Sequence, residues 1–190
     1  MNDTLKTIAK RYSCRNFSDK AVSDADLRAI ADAGIQAPSA RNVQGWHITV
    51  VKDKVLIAEI EAEGMRVISE MPDKSTYERI MGRGGKLFYN AQAVAFMAIN
   101  ENAAAGYAKY AAVDLGIAAQ NISIAATSLG IDNCHCGMVA YCFSGGKAAA
   151  FKKKLQFPDG YECNYGVLLG YGNGQGTPHA PNADKTTFIE

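Results

Sequence analysis

The sequence predicts an α+β fold in which helices flank a central mixed or antiparallel sheet. The first observation is that residues 103–129 have a helical pattern that is apolar on most of its circumference, as in a helix buried on several sides. The second is an alternating β-branched strand at residues 47–51. The third is the continuous apolar run at residues 93–99, which predicts a central strand. With 190 residues, one domain spanning residues 1–190 is expected.

The long predicted helix has small and polar residues at regular spacing. Two rows of alanines recur every seven residues: Ala105, Ala112, Ala119 and Ala126, and Ala111, Ala118 and Ala125. Small side chains let another backbone approach closely, so the helix could pack on its own copy in a second subunit. The alternative is an ordinary buried helix in a monomer. Asp114, Asn121 and Ser128 form a polar stripe, and Asp114 is expected to be a buried, hydrogen-bonded carboxylate rather than a catalytic acid or base.

Composition excludes several classes of function. Twenty basic and nineteen acidic residues give a net charge of +1, so neither nucleic acid nor another polyanion is expected as the main partner. No apolar run reaches the roughly 18 residues of a membrane span, and the N-terminus lacks the apolar core of a signal peptide. Five cysteines in a chain that needs no disulfide indicate a reducing cytoplasm.

A basic stretch follows the short helix predicted at residues 4–10. In extended backbone, Arg11, Ser13 and Arg15 would share one face, because alternate side chains of a strand point the same way. Two guanidinium groups and a hydroxyl suit a phosphate dianion. The alternative is a solvated basic turn.

A loop rich in hydrogen-bonding side chains lies between the second predicted helix and the first strand. Ser23 is expected to cap that helix, and Pro38 follows its end. The amides of Asn42 and Gln44 could bind a heteroaromatic edge that both donates and accepts hydrogen bonds. The alternative is a structural turn in which Trp46 belongs to the core.

Together these two motifs resemble the FMN-dependent nitroreductase family. The residues are R-x-S-x-R-x-F at 11–17 and A-P-S-A-x-N-x-Q-x-W at 37–46. The resemblance implies that Arg11, Ser13 and Arg15 hold the FMN phosphate. It implies that the second motif holds the flavin ring and ribityl chain, partly from the other subunit of a homodimer, through Pro38, Ser39, Ala40, Asn42 and Gln44. Gly45 departs from the proline usual in the family.

The same resemblance extends to the later part of the chain. Residues 130–137 resemble the family's turn that runs along the flavin ring, so a backbone N–H near Cys136 or Gly137 is expected to bind the ring. His135 and Cys136 replace residues that are usually less polar. Lys185 is the Lys or Arg available near the end of the chain to approach the phosphate.

The implied function is an FMN-dependent oxidoreductase that transfers hydride from NAD(P)H through the flavin to a small organic acceptor by ping-pong kinetics. No catalytic side chain is expected, because the chemistry takes place on the flavin.

The substrate wall is expected within residues 64–86, after a surface helix at residues 54–63. The alternatives are a flavin carrier or redox sensor, a more specialised flavin chemistry, and a metal-binding protein using residues 134–142. No metal is expected, since the cysteine spacing lacks a second pair of ligands.

Overall fold

The fold is described from a computed structural model that covers residues 1–100 and 108–189. Seven α-helices lie in these residues: α1 (Asp3–Lys10), α2 (Asp24–Ile35), α3 (Lys54–Glu70), α4 (Ser75–Met81), α5 (Ala108–Ser128), α6 (Val139–Cys142) and α7 (Ala148–Lys154). Four strands accompany them: β1 (Trp46–Val51), β2 (Ala93–Ile99), β3 (Asp132–Cys136) and β4 (Glu162–Gly170). No helix in these ranges is long and apolar enough to cross a membrane.

The strands form one antiparallel sheet in the order β1-β2-β4-β3. This confirms the α+β class, with an antiparallel rather than a mixed sheet. β2 lies inside the sheet, and each of its seven residues is buried. Its alternate residues enter different cores, because successive side chains of a strand point to opposite faces. Phe96 packs into the core beneath α3, α6 and α7, whereas Met97 packs into the core beneath α2 and α5.

Helix α5 packs on the sheet and on α2, as its apolar circumference predicts. Gly34 of α2 permits the close approach, since a Cβ there would lie 2.8 Å from Ile122 Cγ1. The central alanines of the two rows do not form a free surface. Ala118, Ala119 and Ala126 are fully buried within the chain, so the interpretation that these rows face a second subunit is wrong for their central members. Ala105 lies outside the described residues.

The polar stripe of α5 holds the neighbouring elements in place. Both carboxylate oxygens of Asp114 accept a hydrogen bond from the Ala40 N–H at 3.2 Å, which agrees with the paired structural role expected of this buried group. Asn121 donates to the Ala33 carbonyl of α2 at 3.1 Å. Ser128 bonds only locally, to the Ala125 carbonyl one turn earlier.

Two predicted elements differ from the structure. α3 continues to Glu70 rather than ending at residue 63. Gly64 does not end the helix and lies in its buried face. A Cβ at Gly64 would lie 2.5 Å from Cys142 Sγ, so this glycine allows α3 to pack closely on α6. Residues 132–136 form the edge strand β3 rather than a turn. After β3 the chain forms the single turn of α6 and then the short helix α7.

Candidate ligand site at the basic sheet edge

Residues 11–15 run in extended backbone along the outer edge of β3. The Cys14 N–H donates to the Asn133 carbonyl at 2.9 Å, and Ser13 forms a parallel bridge with Asn133. Asn133 is buried and is held by Ser123 and Thr127 of α5. The long helix therefore fixes the strand on which this segment lies. We call residues 11–15 together with β3 the basic edge.

The other residues of the segment anchor it to the fold. Cys14 is buried, and Tyr12 pairs with Asp132 at the start of β3. Burial, followed by the nearby Asp132 carboxylate, raises the pKa of Tyr12 to about 12. Asp132 also accepts the Gly172 N–H at 2.8 Å. The roles of Tyr12 and Asp132 were not predicted from the sequence. The available signal was that Tyr12 lies between Arg11 and Ser13, so its side chain points to the opposite face of an extended segment.

Arg11 has an unpaired buried nitrogen. Its Nη1 atom is inaccessible to solvent and has no hydrogen-bond partner among the described residues. A buried donor without an acceptor costs about 1–3 kcal/mol, more for a charged group. A phosphate oxygen at this nitrogen would remove that cost, so Arg11 fits the phosphate role predicted for it.

Ser13 and Arg15 lie next to Cys134 of β3. Burial raises the pKa of the Cys134 thiol, and the Arg15 guanidinium and the Ser13 hydroxyl act in the opposite direction. Arg15 is exposed, whereas Ser13 is partly buried. The structure therefore brings Arg11, Ser13 and Arg15 to one edge, as the alternation predicted.

The end of β3 carries the other predicted residues of this edge. His135 Nδ1 lies 3.2 Å from the Tyr165 hydroxyl of β4. Burial raises the pKa of Cys136 to about 12, so its thiol is protonated near neutral pH. Gly137 is exposed, and a Cβ at that position would meet no atom within 4 Å. This open backbone leaves room for a flat ring to approach the Gly137 N–H, which suits the role predicted for Cys136 and Gly137.

Residues 39–44, which we call the amide loop, expose the side chains of Arg41, Asn42 and Gln44 to solvent. Gln44 Nε2 donates to Asn42 Oδ1 at 3.0 Å, and both side chains are exposed. Arg41, Asn42 and Gln44 have φ values of 53°, 57° and 49°. Left-handed backbone costs an L-residue roughly 1–2 kcal/mol, and such conformations concentrate at functional sites.

The base of the amide loop is held by the rest of the chain. Ser39 Oγ accepts the Gln44 N–H at 2.9 Å, and Asp114 holds Ala40 as described above. Pro38 is exposed, and Trp46 is buried in the core. The alternative prediction was thus right about Trp46, but the amides of the loop remain accessible.

The amide loop and the basic edge lie at opposite corners of the sheet within one chain. β1 and β3 are its two edges, and Trp46 pairs through Ile99 with the start of β4, whereas Asn133 pairs with Leu169 near its end. Strand spacings of about 4.8 Å and rises of about 3.3 Å per residue separate the corners by roughly 25 Å. One chain therefore does not bring the two motifs together.

Lys185 lies in the exposed tail, in the short 3₁₀ turn Ala183–Lys185. Its predicted approach to the phosphate stays a prediction. Among the described residues, no group of three or more His, Cys, Asp or Glu side chains could hold a metal ion.

The fold and the basic edge define a class: an α+β protein with a basic segment bound along the outer strand of one antiparallel sheet. The chain belongs to the nitroreductase family, whose family model matches residues 8–171.

Three similar proteins extend this result. A nitroreductase with bound FMN from Desulfitobacterium hafniense is 49% identical, with a TM-score of 0.93 and coverage of 100% of both chains. A nitroreductase with bound FMN from Bacteroides fragilis is 26% identical, with a TM-score of 0.89 and the same coverage. A protein of Archaeoglobus fulgidus described as an NADH dehydrogenase/NAD(P)H nitroreductase is 28% identical over 171 residues, which are 90% of this chain and 86% of that protein.

Proposed function

We propose that the protein is an FMN-dependent oxidoreductase that uses NAD(P)H to reduce a small organic acceptor. The observation that carries the proposal is the unpaired, buried Arg11 Nη1 on the basic edge. Its support is membership of the nitroreductase family and the FMN present in two similar structures. When bound, FMN would supply the hydride chemistry, accepting a hydride from NAD(P)H and passing reducing equivalents to the second substrate.

The protein's own residues would bind and orient the cofactor. Arg11, Ser13 and Arg15 would hold the phosphate arm by charge-assisted hydrogen bonds. The backbone N–H at Gly137 would bind the ring edge, because this position is exposed and free of side-chain crowding. Asn42 and Gln44 would bind the ring and ribityl chain, with Pro38, Ser39 and Ala40 shaping the loop. No proton shuttle is required of a side chain, since hydride transfer depends mainly on proximity and orientation.

We infer that the working form is a homodimer in which the amide loop of one subunit meets the basic edge of the other. The separation of roughly 25 Å within one chain supports this arrangement. A second support is exposed apolar surface on the helices. No residue of α1 is buried, and its Leu5 and Ile8 are exposed, as is Val113 on α5. Gly116 lies one turn from Val113, and a Cβ there would meet nothing within 4 Å, so another backbone could approach closely.

We place the protein in the cytoplasm. All five cysteines are free and buried, which fits a reducing compartment.

The test of this function is cofactor binding followed by reduction. The purified protein, reconstituted with FMN, should show a bound-flavin spectrum that NADH or NADPH bleaches without oxygen, and an added nitroaromatic or quinone should restore it. Parallel double-reciprocal plots would support ping-pong turnover. A protein that does not bind FMN contradicts the proposal. Bound FMN that neither reduced nucleotide bleaches would instead favour a flavin carrier or sensor.

A subunit-mixing experiment tests the shared site. An Arg11→Ala chain and an Asn42→Ala/Gln44→Ala chain should each bind FMN weakly. Their heterodimer should recover one tight site per dimer, because one of its two sites combines an intact edge with an intact loop. Recovery of no tight site would contradict a site built from two chains.

A further inference from the structure

Two side-chain nitrogens of the described residues are buried without a hydrogen-bond partner, and both belong to the basic edge. One is Arg11 Nη1 and the other is His135 Nε2. The two side chains are close enough for the charge of the Arg11 guanidinium to lower the pKa of the His135 imidazole. Only burial has a larger effect on that pKa. Buried polar groups are normally paired, so two unpaired nitrogens in one place indicate a common acceptor from outside the chain.

Tyr165 determines which imidazole nitrogen carries the proton. Its hydroxyl lies 3.2 Å from His135 Nδ1, and the rings are 5.9 Å apart between centroids. A phenol hydroxyl is a better donor than an imidazole N–H, which favours the arrangement in which Tyr165 donates and Nδ1 accepts. In a neutral imidazole the hydrogen bond at one nitrogen fixes the proton on the other. In this favoured arrangement, Nε2 carries the proton and is the N–H donor.

The imidazole is neutral at ordinary pH. Burial is the main reason that the pKa of His135 is lowered, and the positive Arg11 side chain lowers it further. A second cation beside Arg11 would be unfavourable, whereas a neutral N–H adds a directed donor at no cost in charge repulsion.

We propose that His135 is a ligand-binding residue whose Nε2–H donates, beside Arg11, to an oxygen of the ribityl phosphate arm of FMN. Tyr165 is a positioning residue that holds the imidazole in the tautomer able to donate. The inference rests on the proposed FMN site and adds a side-chain donor from β3 to it. The shared chemistry is an oxygen acceptor, either a phosphate oxygen or a ribityl hydroxyl.

The binding test compares His135→Leu, which removes the donor, with His135→Gln, which keeps an N–H near the Nε2 position. The control is His179→Leu in the exposed tail. FMN, riboflavin and lumiflavin are titrated by quenching of flavin fluorescence. His135→Leu should weaken FMN about 10-fold to 100-fold, as expected for a hydrogen bond to a charged group. His135→Gln should recover much of that loss, and His179→Leu should have no effect.

The three flavins locate the acceptor. A loss for FMN alone identifies the phosphate, and a loss for FMN and riboflavin identifies a ribityl hydroxyl; both support the inference. An equal loss for lumiflavin, which lacks the arm, overturns it. Unchanged FMN affinity in His135→Leu, together with weakened affinity in Arg11→Ala, overturns this inference while leaving the proposed function intact.

The tautomer is measured on the protein without ligand. Long-range ¹H–¹⁵N spectra of the three histidines, with His135 assigned by its loss in His135→Gln, should show a proton on Nε2 and a bare Nδ1. Tyr165→Phe should remove this preference and weaken FMN binding in the same direction as His135→Leu. A proton on Nδ1 in the parent protein would overturn the assignment, since Nε2 could not then donate.

Discussion

The basic edge and the amide loop satisfy their polar groups in opposite ways. At the basic edge, Arg11 and His135 each have a buried nitrogen without a partner. In the amide loop, Asn42 and Gln44 are exposed and bond to each other, and the backbone rather than the side chains bears the cost through left-handed φ values. One region is therefore incomplete without an acceptor, and the other is complete but conformationally strained.

This contrast indicates how each half of a site shared between two chains can be stable before the two halves meet. The buried donors are protected by the edge strand and the core, so they can be preorganised for a charged ligand. In the proposed dimer a second chain would cover the loop, whose two amides bind each other within the single chain. A strained backbone keeps their direction fixed, which lowers the ordering cost of binding.

The largest effect is expected from separating the two regions. Val113→Glu places a charge on the exposed apolar face of α5, where burial in a dimer would leave it unpaired. The variant should be monomeric in light scattering and bind FMN at least about 100-fold more weakly, since the amide loop of the partner is lost. Val55→Glu, at an exposed position of α3, is the matched control and should remain a dimer. A monomeric Val113→Glu chain with parental affinity would show that one chain holds the whole site.

The next effect compares the two arginines of the basic edge. Arg11→Ala should weaken FMN binding by about 1.5–3 kcal/mol, because it removes a charged donor shielded from water. Arg15 is exposed, so Arg15→Ala should cost about 1 kcal/mol or less. Isothermal titration at two salt concentrations measures both, and the Arg15 effect should be reduced more by salt. An Arg15 effect exceeding that of Arg11 would mean that the phosphate lies further along the segment.

These residues also show how far the sequence predicts the structure. Strong local patterns were reliable: β2 was predicted over the residues it occupies, and Ser23 caps α2 as expected, accepting the Asp26 N–H at 3.1 Å. The alternation of Arg11, Ser13 and Arg15 predicted a shared edge because extended backbone fixes side-chain direction locally. Likewise, an acidic residue within a mostly apolar helix predicted a buried carboxylate with a hydrogen-bond partner, and Asp114 has one.

What the sequence did not predict depends on distant partners. Gly64 was predicted to belong to the substrate wall, but the structure packs it against Cys142, which is far away in the chain. His135 was noticed as an unusual polar residue, and its meaning required the positions of Tyr165 and Arg11. The alanine rows indicated a close approach correctly but not its partner, because small residues fit a sheet and a second helix equally well.

Asp114 connects the fold to the amide loop, and its removal should affect both. Asp114→Ala frees the Ala40 N–H and should lower the free energy of unfolding by about 1–3 kcal/mol, as expected for a charged hydrogen bond. It should also weaken FMN binding, because the loop loses its fixed base. Asn121→Ala, in the same polar stripe, is the control: it releases α2 and should lower stability without the loss in FMN affinity. Equal effects on FMN binding would indicate general loosening of α5.

The histidines make stability depend on pH. The pKa of His135 is lowered by burial and by Arg11, and that of His47 by burial, from an ordinary value of 6.5. The unfolded chain therefore binds more protons than the folded chain below that pH, so stability is full above about pH 6.5 and falls as the pH drops toward the lowered values. Urea unfolding between pH 7.5 and 5 should show this fall, and His135→Gln should make it smaller. A slope unchanged by His135→Gln would assign the effect to other groups.

The smallest expected change in stability comes from replacing a left-handed residue of the amide loop with glycine. Gln44→Gly relieves a left-handed L-residue but adds the entropy cost of glycine, so the free energy of unfolding should stay equal or rise by up to about 1 kcal/mol. FMN affinity should nevertheless fall, because the side-chain amide is gone and the loop loses its fixed direction. Gln156→Gly is a matched control, since Gln156 has a φ of 57° and lies after α7, away from the site. It should show a similar stability change with parental FMN affinity. If Gln44→Gly bound FMN as tightly as the parent, neither the Gln44 amide nor its left-handed backbone would have a role in binding, and the contrast between the two regions would reduce to burial alone.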